Sequence, residues 1–345
     1  MQIIKILLFV FIGFLIGFFI FNFKSYLKQP AYINPIGNVE KKPLEEYQFE
    51  NLKKRNFAPG KIILGKEIKK TEEYTSRIFY FTTKNIITGK KEKNSGLINI
   101  PIKSDGPCPL LILIRGYVDQ EIYEPGVGTK HFGELAASQS YITLSPDFLG
   151  YGESDKPSTK SIEERFQTYV TVLTLISSIN NLDSTFKKEK ITTQVNADKI
   201  GLWGHSNGGQ IALSVLEISG KDIPTILWAP VSKPFPYSIL YYTDEFEDRG
   251  RALRKVVASF EKDYLADNYS LANYLDWIKS PVQIYQGGID EAVPQKWNDQ
   301  FVDELKKKDK QVEYFVYPLE NHNFNNGSWD NIAGRSLDFY SSFFK

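Results

Sequence analysis

Cysteine is nearly absent from this chain, and the scarcity is informative. Cys108 stands alone, so no intramolecular disulfide and no cysteine-rich zinc site can form. It also lies far from the N-terminal apolar run, which excludes lipoprotein-style attachment through a cysteine just after that run; a small buried residue before a strand is the expectation. Histidine is scarce too: His131, His205 and His322 are the whole set and are far apart, with no metal-ligand spacing. No metal is expected, and no cofactor. Charge of one sign is not in excess: the formal net charge is +1, with acidic and basic residues interspersed, so the footprint that selects a phosphate backbone is missing and no nucleic-acid partner is expected. Solenoid or propeller repeats are absent.

What remains is an ordinary globular composition. Apolar residues make up 42% and charged residues 24% of 345, enough for a sizeable core in one large α/β domain or in two smaller ones.

Residues Ile6 to Phe21 are apolar or glycine without interruption, and Phe23 extends the run. As a helix this spans ~24–27 Å, close to a ~30 Å hydrocarbon core. A cleaved signal peptide is the competing reading, given the charged start Met1 to Lys5. The run exceeds the usual ~7–15 residue signal core, however, and no small-x-small site follows it. The expectation is an uncleaved single-pass transmembrane anchor over 1–23. Lys5 lies on one side and Lys24 and Lys28 on the other, so the positive-inside rule does not decide orientation; an extracytoplasmic catalytic domain is the working expectation. Gly13 and Gly17 form a small-xxx-small pair through which a homodimer could pack.

Pro30, Pro35, Pro43 and Pro59 among polar residues mark 24–60 as a linker. From 61 to the end the chain reads as a single catalytic domain. Tyr74 to Thr83 and Gly96 to Lys103 are β-branched and aromatic runs joined by a Lys/Asn/Gly-rich turn, an antiparallel opening to the sheet. Short apolar runs then alternate with helix-period stretches, the signature of a mostly parallel sheet with helices on both faces. The strands fall at Leu110 to Ile114, Tyr141 to Leu144, Ile200 to Trp203, Thr225 to Trp228, Val282 to Tyr285 and Val312 to Tyr317. Helices are expected at Gly133 to Gln139, Ile162 to Ile179, Gly208 to Ile218, Gln295 to Lys307 and Ile332 to Phe344. The aromatic, charged segment 232–278 breaks the alternation and reads as a small helical lid, with helices that merely complete the core as the alternative.

The strongest chemical signal is Gly204-His205-Ser206-Asn207-Gly208-Gly209, between a strand and a helix. A serine hydroxyl must be held exposed on a tight turn to act as a nucleophile, and the flanking glycines remove side chains that would collide there. A helix N-terminus supplies N–H donors for a developing oxyanion. The base is then His322, in the loop after the last strand: His205 adjoins the serine and should point elsewhere, and His131 belongs to an early helix. The carboxylate that orients the base is Asp290, after the strand at 282–285, with Glu291 as runner-up. Backbone N–H groups of Asn207 and Tyr117 are the expected oxyanion donors, Gly116 permitting close approach; the Tyr117 phenol could also contribute or line the pocket.

LILIRGY, SPDFLGYGESD, GLWGHSNGG, GGIDEAVP and ENHNF, in this order from about residue 75 to the end, resemble the catalytic domain of the prolyl-oligopeptidase-like and dienelactone-hydrolase-like branches of the α/β-hydrolases. The resemblance implies the α/β-hydrolase fold and a Ser-Asp-His triad at Ser206, Asp290 and His322. Arg115 departs from the histidine that many relatives carry before the glycine. The propeller of the large oligopeptidases has no room in the roughly fifty residues between anchor and first strand. The expected activity is hydrolysis of a small-molecule carboxylic ester, with a peptidase acting on short peptides as the alternative within enzymes and a non-catalytic binding module as the alternative outside them.

Overall fold

The computed structural model describes residues 42–157 and 161–344. The apolar run Ile6 to Phe21 therefore lies outside the described residues, as does the first half of the expected linker. Among the described residues no helix is long and apolar enough to cross a membrane.

Nine strands form one sheet in the order β1-β2-β3-β5-β4-β6-β7-β8-β9. They are β1 Ile63–Lys70, β2 Tyr74–Lys84, β3 Lys91–Pro101, β4 Cys108–Ile114, β5 Ile142–Pro146, β6 Val195–His205, β7 Thr225–Trp228, β8 Val282–Gly287 and β9 Val312–Tyr317. Pairing is antiparallel from β1 through β3 to β5 and parallel from β5 across to β9. The helices are α1 Phe49–Lys54, α2 Lys130–Ser138, α3 Ser161–Ser178, α4 Leu182–Lys188, α5 Asn207–Ser219, α6 Tyr237–Leu240, α7 Arg251–Glu261, α8 Gln295–Lys307 and α9 Trp329–Phe343.

The strand alternation sorts the core onto two faces, because successive side chains on a strand point to opposite sides. Leu110, Ile112, Ile114, Leu202, Leu227 and Ile284 join α1, α3 and α5 in the larger cluster. Leu111, Leu113, Trp203, Ile226, Trp228 and Tyr285 face α2 and α9 in the smaller one. Helices on both faces leave the loops at the strand ends as the place for a site.

Three sequence expectations need correction here. The edge strand β1 (ILGKEIKK) was not anticipated: five of its eight residues are exposed and four are charged, which blunts an edge against further pairing but erases the apolar alternation. The second half of the expected linker is structured, with Pro43–Tyr47 a 3-10 turn followed by α1, and Tyr47, Phe49 and Leu52 fully buried. Leu44, Tyr47, Phe49 and Leu52 supply an apolar stripe that stays close to the body of the domain, so this part of the chain is not a spacer. The expected lid divides in two. Val257, Phe260, Tyr269, Leu271 and Leu275 belong to the larger core cluster, and the Tyr269 hydroxyl donates to the Leu44 carbonyl at 3.1 Å. That half is scaffold. The Tyr237–Glu245 half keeps Tyr237 and Tyr241 exposed, and Arg165 reaches its Ser238 hydroxyl at 3.5 Å.

Candidate active site

The glycines of the serine turn are required by packing. A Cβ on Gly208 would overlap the Ile114 carbonyl, so only glycine lets α5 start against β4. Ser206 caps α5 with φ 55° and ψ −122°, a conformation that L-residues avoid and that costs on the order of 1–3 kcal/mol. The surroundings fix it: its N–H donates to the Trp228 carbonyl at 2.9 Å, and its own carbonyl accepts from Gly209 and Val231, both at 3.0 Å. A strained serine on a strand-to-helix turn is what an exposed nucleophile needs.

His322 and Asp290 meet across two loops. The His322 Nδ1–H donates to Asp290 Oδ2 at 3.0 Å, and the Asp290 side chain is fully buried. Asp290 Oδ1 accepts from the Ala292 and Val293 N–H groups at 2.9 and 2.7 Å, and Gln286 Nε2 donates to Oδ2 at 3.1 Å. Gln286 is held in turn by Asn298 at 2.6 Å. Four donors fix the orientation of this buried carboxylate. The runner-up Glu291 makes a different contact, accepting the His322 backbone N–H at 3.3 Å. No hydrogen bond among the described residues joins His322 to the Ser206 hydroxyl; such bonds commonly tighten only once substrate is bound.

His205 does point away from the serine, but it has a task that the sequence did not disclose. Its Nε2–H donates to the His322 carbonyl at 3.0 Å, and the two rings lie 4.7 Å apart. Burial and the neighbouring His322 push the His205 imidazole down to about 4, so it remains a neutral donor bracing the histidine loop. Glu320 braces the same loop, accepting from Asn326 and Ser328 N–H at 2.8 and 2.6 Å. Burial alone would raise the Glu320 carboxyl; those donors outweigh it and hold it below the usual range. His131 is elsewhere, stacked on Trp329 at 3.5 Å.

The loop after β4 reaches the serine. A Cβ on Gly116 would stand 3.0 Å from the Ser206 Cβ, which sets the backbone of Gly116 against this serine. The Tyr117 phenol donates outward to Asp119 at 2.7 Å and lines the adjoining cavity. Arg115 holds this loop from below. Its guanidinium donates to the Gly116 and Asp147 carbonyls at 2.9 and 3.1 Å and lies 4.0 Å from the Tyr151 ring centre. Arginine at this position is a strut that fixes the backbone of the loop. A cavity of about 220 Å³ opens beside Asn207 and Gly116, walled by Phe148, Tyr151 and Ile211 together with Arg165. No cluster of acidic, histidine or cysteine side chains suited to a metal ion occurs among the described residues.

With this geometry in view the comparisons are concordant. Residues 185–345 match the prolyl oligopeptidase family. Dipeptidyl aminopeptidase BIII of Pseudoxanthomonas mexicana is 27% identical over 230 residues, 64% of this chain and 31% of the relative, so the chain spans about a third of that protein's length. Acetyl xylan esterase 1 from Thermoanaerobacterium sp. JW/SL YS485 superposes with a TM-score of 0.55 at 17% identity, over 87% of this chain and 94% of that one. Acetyl xylan esterase from Paenibacillus sp. R4 gives 0.57 at 14% identity, over 89% and 96%. At such identities the structural likeness establishes the fold alone, that of the α/β-hydrolases. Together with the match of 185–345, this makes the chain similar to serine hydrolases of prolyl-oligopeptidase type.

Proposed function

We propose that the chain hydrolyses short-acyl carboxylic esters through an acyl-enzyme, with Ser206 as nucleophile, His322 as general base and acid, and Asp290 orienting His322. Ser206 attacks the carbonyl as His322 removes its proton; the same proton then goes to the departing alcohol, and water repeats the cycle on the acyl-serine. Asn207 and Tyr117 N–H groups hold the tetrahedral oxyanion. The observation that carries the reading is the pairing of a buried Asp290 with His322 at 3.0 Å on loops that flank a serine held at φ 55°. The cavity of about 220 Å³ beside Asn207 favours a short acyl group. The run Ile6 to Phe21 is assigned to a membrane anchor on its sequence alone.

A peptidase acting on short peptides is the second reading, favoured by the dipeptidyl aminopeptidase match. Fold does not choose between them, so a panel of short-acyl esters and dipeptide amides at equal concentration does. A fluorophosphonate probe should label the wild type and leave Ser206→Ala unlabelled. Equal labelling of the variant removes Ser206 as nucleophile, and an unlabelled wild type returns the chain to a non-catalytic module.

A further inference from the structure

Six large apolar side chains are exposed on the loops that surround Ser206: Tyr117, Ile122, Tyr237, Tyr241, Ile289 and Leu319, each between 43% and 79% exposed. Two follow β4, two follow β7, one follows β8 and one follows β9. Because β4 and β6 to β9 run parallel, all these loops emerge at the strand ends that carry the serine. Contacts link parts of this rim, Tyr117 with Tyr237 and Tyr241 on one side and Ile289 with Leu319 on another. Tyr117 and Arg165 line the cavity beside Asn207, and Arg165 reaches the Ser238 hydroxyl at 3.5 Å. Ser238 adjoins Tyr237, and Tyr241 packs on Trp297 with ring centres 4.5 Å apart. The Ile289 N–H donates to the carbonyl of Glu320, the residue after Leu319, at 3.1 Å. Single exposed apolar residues need no explanation; six arranged around a candidate nucleophile mark a surface that meets something apolar.

The geometry points to an ester presented at a lipid–water interface, its short acyl group entering the cavity and its apolar alcohol remaining in the lipid that the rim touches. This deepens the proposed function and rests on Ser206 being the nucleophile. Two observations select this occupant. The cavity, at about 220 Å³, lies below the ~300–1,000 Å³ of sites that enclose a whole drug-sized ligand, so the rest of a larger substrate must lie across the rim. The chain preceding Lys42 carries the apolar run Ile6 to Phe21, and the roughly twenty residues between them can extend up to ~70 Å, enough to let the rim meet the same bilayer.

The test uses the full-length chain reconstituted in phosphatidylcholine vesicles and two butyrates, methyl butyrate in the water and hexadecyl butyrate dissolved in the bilayer. The wild type should cleave the hexadecyl ester with the higher kcat/KM. The double variant I122S/L319S, which touches no proposed catalytic group, should lose about tenfold on hexadecyl butyrate, as expected when two such side chains stop burying apolar area, and less than about twofold on methyl butyrate. A wild type that prefers methyl butyrate, or a variant that loses equally on both esters, overturns the interfacial reading. Fluorophosphonate labelling of the same samples separates the two levels. If Ser206 is labelled but the hexadecyl ester is not preferred, only the interfacial proposal falls; if Ser206 is not labelled, the nucleophile assignment falls with it.

Discussion

Replacing Asp290 by asparagine isolates one atom of the proposed relay. The side chain is buried and nearly isosteric, and its Oδ1 position is fixed by the Ala292 and Val293 N–H groups at 2.9 and 2.7 Å. An amide there keeps its oxygen on those two donors, so the NH2 must face His322 and Gln286, which now donate toward it at 3.0 and 3.1 Å. Gln286 can relax onto the Gly287 and Val293 carbonyls it already contacts at 3.0 and 3.1 Å. His322 has one remedy, which is to accept at Nδ1 and carry its proton on Nε2. That tautomer cannot take a proton from Ser206. Acid-to-amide changes of this kind lower kcat by ~10⁴, equivalent to about 5.5 kcal/mol in the barrier, while one frustrated buried hydrogen bond costs about 1–3 kcal/mol in stability. The assay is kcat on a soluble short-acyl ester, with a thermal melt showing that D290N remains folded. E291Q serves as comparison: among the described residues Glu291 accepts just the His322 backbone N–H, at 3.3 Å, so its loss should stay within about tenfold. A folded D290N within about tenfold of wild type, or an E291Q that is the more damaged of the two, would refute the assignment of Asp290.

Two further outcomes concern stability. Glu217 on α5 is fully buried with neither carboxylate oxygen hydrogen-bonded, and burial raises its carboxyl well above the normal range. The folded state keeps a proton that the unfolded chain releases, so Glu217 destabilises progressively as pH rises from about 4.5 towards the raised value. Glu217→Met should therefore gain about 1–3 kcal/mol near neutral pH, read as an upward Tm shift of a few degrees, with the gain shrinking towards pH 4. A variant that melts lower at pH 7.5 would show that the carboxyl has a partner the structure does not reveal. His205 has the opposite sign: held down to about 4, it is neutral when folded and protonates in the unfolded chain below about 6.5. Stability should fall as pH drops from 6.5 towards 4. A full shift corresponds to about 3 kcal/mol, but the residue keeps a partly accessible edge, so about 2 kcal/mol is the expected loss. His205→Asn should flatten that part of the pH profile; an unchanged slope between pH 6.5 and 4 counts against a buried neutral imidazole.

How much of this was legible in the sequence depends on where the governing constraint resides. The strands from β4 to β9 and the helices α8 and α9 are written in local periodicity, because both sheet faces are covered and apolar runs mark buried strands directly. The serine turn is legible for a different reason. Close approach of α5 to Ile114 acts on a single backbone position, Gly208, and glycine is the residue type that answers such a constraint. The edge strand β1 and helix α1 obey neither rule. One hides behind exposed charges at a sheet margin; the other is a short piece stabilised by aromatic contacts to α3 and the segment near Tyr274 that are remote in sequence.

The site shows the same division within a few residues. Asp290 and His322 follow strands whose ends register across the sheet, so chain position, with only three histidines to choose from, was enough to nominate them. The groups that make the pair rigid lie outside that logic. His205, Glu320, Gln286 and Arg115 act through hydrogen bonds to backbone carbonyls, N–H groups or a neighbouring carboxylate, partners that no spacing rule anticipates. Alternation along β6 offered one clue, because it places His205 on the same face as the buried Trp203, towards α2 and α9 and away from α5. A polar ring two residues from a core tryptophan must find a buried partner, and His205 finds the His322 carbonyl. The histidine beside the serine is thus a consequence of strand geometry, and its bond to His322 follows from the cost of leaving it unpaired.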